Sequence, residues 1–164
     1  MTSLLTLLFA CRSTPEISNE ETINLNNQQI ISEDGLTAKS PEDGELSKLT
    51  ANPNEDGFEL EGTIDLQRFN EYSGEYLDQF VSLDIEPGST LWSDGDTLQL
   101  KLSAVLGEQS CFENADAWLD PSESSSITNN YSGTIEVAGL DEGSCQNTFG
   151  DNPGIIFNMA KLNN

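Results

Sequence analysis

From Gly57 onward, apolar and polar residues alternate in short runs. Phe58, Leu60, Ile64 and Leu66 interleave with Glu59, Glu61, Thr63 and Asp65. Val81, Leu83 and Ile85 interleave with Ser82 and Asp84, and Leu98 to Leu106 with Gln99, Lys101 and Ser103. Tyr131, Ile135 and Val137, then Ile155, Phe157 and Met159, repeat the pattern. A period of two puts one set of side chains on a covered face and the other in water, so each run predicts a strand. Turn formers separate the runs: Glu86-Pro87-Gly88-Ser89, Ser93-Asp94-Gly95-Asp96, Asp141-Glu142-Gly143, and Gly150 to Gly154. The second of these predicts a hairpin between Leu91-Trp92 and Leu98. Short strands divided by turns, with little helical period, predict an all-β domain over 57–164. The expected form is an antiparallel β-sandwich of jelly-roll or other Greek-key type.

Two stretches resist the pattern. Phe69, Tyr72, Tyr76 and Phe80 have the spacing of a helical stripe, but Ser73-Gly74 among them points to a loop packing aromatics over one end of the core. Ala115, Trp118 and Leu119 suit a strand, with Trp118 assigned to the core beside Leu119. Trp92, at the predicted hairpin, divides evenly between a place on the core rim and an exposed contact.

Residues 12–56 read differently. They hold ten acidic and three basic residues, a net charge of −7, and no aromatic residue. So little apolar surface does not offset the entropy of ordering the chain, which predicts a flexible acidic linker over 11–56. Such a tether spans roughly 35–40 Å. Asn24 to Ile31, with Leu25, Ile30 and Ile31, has some strand character but is left with the linker.

The first residues are apolar: Leu4 to Ala10 run up to Cys11, and the chain turns polar immediately after it. The run is far short of the ~20 residues that span a bilayer. Leu8-Phe9-Ala10-Cys11 resembles the lipobox of bacterial lipoproteins. The resemblance implies a signal peptide over 1–10, cleavage before Cys11, and a lipid on Cys11. It further implies a place in the bacterial cell envelope, anchored to the membrane and facing the periplasm or the cell surface.

The formal net charge is −23, from 29 acidic and 6 basic residues with no histidine. That charge repels nucleic-acid phosphates, and no basic stripe offsets it, so nucleic-acid binding is excluded. If Cys11 carries lipid, Cys111 and Cys145 remain, and an exported location favours a disulfide between them. Without histidine the commonest general base is missing. The chain also lacks a Gly-x-Ser-x-Gly elbow and a Gly-x-x-x-x-Gly-Lys-Ser/Thr loop.

The chemistry therefore points to binding or scaffolding without catalysis and without a cofactor; it does not name the ligand, for which an envelope protein or a glycan are candidates. Two alternatives stand beside it. One is a Ca²⁺-dependent carbohydrate-binding or adhesive module, with oxygens from Asp94, Asp96, Asp141, Glu142 and Asp151. Acidic turns are more often simply turns, and no metal is assigned. The other is a small hydrolase using two carboxylates; so many acids crowd the domain that some pair always lies at a suitable distance. Trp92, Trp118 and the tyrosines offer a platform for a sugar ring.

Overall fold

The computed structural model describes residues 20–44, 46–95, 97–119, 132–140 and 144–161. These form ten strands and one short helix. β1 (Glu21–Ser32), β2 (Gly35–Lys39), β3 (Ser47–Pro53) and β4 (Gly57–Asn70) come first, followed by β5 (Glu75–Ile85), β6 (Thr90–Asp94), β7 (Thr97–Leu106) and β8 (Gln109–Trp118). β9 (Ser132–Ala138), α1 (Ser144–Phe149) and β10 (Gly154–Lys161) complete the chain. The fold is all-β, and every pairing is antiparallel.

Two pairs of strands act as single interrupted ones. β2 and β3 lie end to end between β1 and β4, pairing with both. The break between them is filled by polar bonds: Ser40 N–H donates to the Gln28 carbonyl (2.8 Å), and Asp65 N–H to Ser47 Oγ (3.0 Å). β5 and β6 lie end to end between β4 and β7. There the buried Ser89 hydroxyl accepts from Ser103 N–H (2.9 Å) and donates to the Ser103 carbonyl (3.1 Å).

With those pairs merged, each strand lies beside its neighbour in sequence, and β10 returns to pair with β1. The sheet is thus an up-and-down meander curled around one core. The all-β, antiparallel fold is the one the sequence predicts, and the described strands follow one another without a crossover. The short turn between β6 and β7, where the sequence predicts one, and another at residues 107–108 hold each strand beside the last, and a meander follows.

The segment expected to be linker needs correction. Residues 21–53 supply three strands, and Ile23, Leu25, Ile30, Ala38, Leu49 and Ala51 belong to the buried core. They need few apolar residues of their own because they extend the sheet beside β4 and β10 and share its one core. Leu60, Ile64, Leu66, Leu100, Leu102, Phe157 and Met159 lie in the same cluster. Glu21 and Lys161 form an ion pair at 2.8 Å where β1 begins and β10 ends. Residues 1–19, where the sequence leads one to expect a signal peptide and a lipidated Cys11, lie outside the described residues.

The aromatic stripe is also resolved. Phe69 and Tyr76 face each other across the β4–β5 hairpin in an edge-to-face pair at 5.2 Å. Lys39 Nζ lies 4.4 Å from the Phe69 ring centre. Tyr72 at the hairpin tip is 97% exposed, and Phe80 is 67% exposed.

Candidate functional site

The curled sheet has two places where its ends could meet. At one, β1 and β10 share a ladder from Ile23↔Lys161 to Ile31↔Gly154. At the other, β8 and β9 lie side by side, and the backbone bond between their ends runs from Leu140 N–H to the Cys111 carbonyl (3.1 Å). The predicted disulfide sits at this second junction. Cys111 on β8 is bonded to Cys145 on α1, with Cα atoms 4.9 Å apart and both residues buried. Because α1 follows β9, the bond ties one edge of the sheet to the segment leaving the other.

Neighbouring residues make the junction tight. Gly139 N–H donates to the Pro153 carbonyl (2.8 Å). A Cβ at Gly139 would stand 2.5 Å from the Pro153 oxygen and 3.2 Å from that of Cys111, so only glycine fits without a shift. Arg68 Nη1 donates to the Thr148 carbonyl (2.7 Å) near the end of α1, and its guanidinium lies 5.6 Å from the buried Phe149 ring. The helix is held to the sheet from both sides.

Across the outside of this junction runs an open groove of about 800 Å³. β8 contributes Asp116 and Trp118; β9 contributes Thr134 and Glu136; Pro153 and Ile156 come from the segment entering β10 and from β10 itself; Ile31 and Glu33 come from β1 and its turn. Trp118 is 62% exposed, which corrects its assignment to the core. Ala117 and Leu119 point inward, and a period of two leaves Trp118 no other face. Trp92, in contrast, is half-buried in β6.

Polar bonds order one wall of the groove. Asn152 Nδ2 donates to Glu33 Oε1 (2.6 Å), and Glu33 N–H to the Asp151 carbonyl (3.0 Å). Thr134 Oγ1 donates to Asn158 Oδ1 (2.9 Å). Lys101 on β7 lies 3.8 Å from Asp116, both side chains being well exposed.

Of the residues named for Ca²⁺, only Asp94 and Asp151 are among the described residues, and they stand at different turns. Asp96, Asp141 and Glu142 lie outside the described residues. Asp94 is exposed at the β6–β7 turn, while the Asp151 carboxylate accepts from Gln146 Nε2 (2.7 Å) beside the β1–β2 turn. Among the described residues no group of three or more His, Cys, Asp or Glu is placed to hold a metal ion. No described helix is long and apolar enough to cross a membrane.

Sequence reasoning named Trp118 but placed it inward, and it passed over Glu33, Asp116 and Glu136. Parity relative to Ala117 was the signal available for Trp118. The three acids come from strands far apart in sequence, and only the curl of the sheet gathers them. Compared with protein-family models, curated proteins and solved structures, the chain matches none of them.

Proposed function

We propose that the chain is a lipid-anchored binding or scaffolding protein of the bacterial envelope, held through Cys11 and working through the groove at the β8–β9 junction. The observation that carries the binding half is Trp118: a large aromatic side chain directed into solvent beside a concave, mixed polar and apolar surface. Exposing such a ring forgoes roughly 1.5–3 kcal/mol of burial, and exposed aromatics cluster where proteins make contacts. The anchoring half rests on the resemblance of Leu8 to Cys11 to a lipobox. The Cys111–Cys145 disulfide supports it, since such bonds persist in exported proteins and rarely in the reducing cytosol. Binding is favoured over catalysis because the chain has no histidine and the groove's carboxylates stand open to water.

Expression of the full chain in a bacterium tests both halves. Wild type should partition into detergent with a mass matching lipidated Cys11, and Cys11→Ser should leave the detergent phase. An array of envelope glycans and peptides probed with wild type and Trp118→Ala should return ligands that only wild type retains. A water-soluble wild type with intact Met1, or an array indifferent to Trp118, contradicts the corresponding half.

A further inference from the structure

We propose that the groove takes an extended polypeptide segment bearing Lys or Arg, with a cationic side chain laid over the Trp118 indole. This rests on the groove being the working surface, and it names the class of occupant.

Size is the first argument. The lining crosses β8, β9, β10 and β1. Strands pack roughly 4.8 Å apart, so the outer two stand about 15 Å apart, a span filled by four or five residues of extended chain at ~3.3 Å each. A lone ammonium group would leave most of it unfilled.

Charge is the second. Among the described residues, Glu33, Asp116 and Glu136 line the groove, and neither Lys nor Arg does. The Lys101–Asp116 contact is long and exposed at 3.8 Å, a pairing that water screens and an incoming cation displaces at little cost. Shape is the third. Ile31 and Ile156 lie among the acids, a surface suited to the aliphatic stems of Lys and Arg while their charged ends reach the carboxylates. An indole face is the best aromatic partner for such a cation. A neutral sugar would use the same ring and donate hydroxyls to the carboxylates, but only a cation neutralises their charge. The net charge of −23 attracts cationic partners from a distance and opposes a second copy of this chain.

The test uses the full chain carrying Cys11→Ser, titrated by calorimetry and tryptophan fluorescence. The probes are a short alternating Lys-Leu peptide, the matching Glu-Leu peptide and a neutral oligosaccharide. The Lys-Leu peptide should bind saturably and the Glu-Leu peptide should not. Trp118→Ala should weaken binding roughly tenfold and Trp118→Phe by less, as expected for loss and partial retention of a cation–π contact. Glu136→Gln should weaken binding severalfold. Glu61→Gln with Asp84→Asn removes charge from exposed positions elsewhere on the sheet and should change affinity by less than about twofold. If that control matches the groove variants, the peptide is held by overall charge and the proposal is overturned. If the oligosaccharide binds through Trp118 and the peptide does not, the working surface stands and its occupant is wrong. If no probe responds to Trp118→Ala, both fail.

Discussion

The sheet closes on itself in two ways. Between β1 and β10 it closes with a ladder and the buried-side ion pair Glu21–Lys161. Between β8 and β9 it closes with the Leu140–Cys111 backbone bond, a covalent link to α1, and a glycine that lets the strands approach. The first junction is distributed and cooperative: its stability comes from many small terms and fades only when the whole sheet does. The second is concentrated in a few atoms, so it can loosen while the rest of the sheet persists. The groove lies across the second and reaches the Ile31↔Gly154 end of the first. A ligand surface built on a staple depends on that staple more than on the core beneath it.

The largest expected effect comes from breaking the first junction. A chain beginning at Gly57 lacks β1, β2 and β3, and with them the buried Ile23, Leu25, Ile30 and Leu49. Each buried Leu or Ile truncated to Ala costs roughly 2–5 kcal/mol. A whole domain holds only about 5–15 kcal/mol. Residues 57–164 alone should therefore give no cooperative melt, and limited proteolysis of the intact protein should leave residues 21–53 protected. A stable core starting near residue 57 would restore the linker reading and remove the first junction from the fold.

Loss of the staple comes next. The chain-entropy estimate for a bond spanning 34 residues is roughly 4 kcal/mol, and removals of native bonds typically cost about 2–5 kcal/mol. Cys111→Ala with Cys145→Ala should lower the melting temperature by that measure. Hydrogen exchange should quicken first at Leu140 and along β8 and β9, with β1 and β10 still protected. Uniform loss of protection would show that the two junctions are equivalent after all.

A smaller effect is expected at Gly139. Gly139→Ala forces its Cβ against the Pro153 carbonyl, and overpacking of this kind costs roughly 1–3 kcal/mol. Denaturant titration should show a lower midpoint with an unchanged slope. Least of all in stability is Trp118→Ala, whose side chain is mostly in water; a change within about 0.5 kcal/mol is expected. Thermal melting of this variant should overlay wild type while its binding is lost. A large drop in melting temperature would mean that Trp118 packs as a structural residue.

The periods legible in the sequence were those of strands whose buried apolar residues keep one parity, even through the register shifts of β7. Phe58 to Leu66, Leu98 to Leu106 and Ile155 to Met159 alternate cleanly, and each is a strand in the structure. β1 was hidden by a change of phase. Ile23 and Leu25 point inward, register shifts between Asn26 and Gln29 with Asn27 at φ 52°, and Ile30 then points inward on the opposite parity. A bulge that reverses parity hides the period of two, and the strand's Asn and Gln residues read as linker. β8 was blurred in the same way, with Cys111 and Phe112 both buried and Asn114 at φ 46°. The disulfide was legible from cysteine arithmetic. The groove was not, because its walls meet only through the closure of the sheet, which no local pattern encodes.

The claim that the stapled junction carries the binding surface is tested most directly by the indole N–H resonances of Trp118 and Trp92 during titration with the Lys-Leu peptide. In the oxidised protein the Trp118 signal should shift saturably and the Trp92 signal should stay in place; in the Cys111→Ala, Cys145→Ala variant, still folded, the Trp118 response should fall at least severalfold. Equal shifts at both tryptophans, or a Trp118 response of the same affinity without the disulfide, would contradict it.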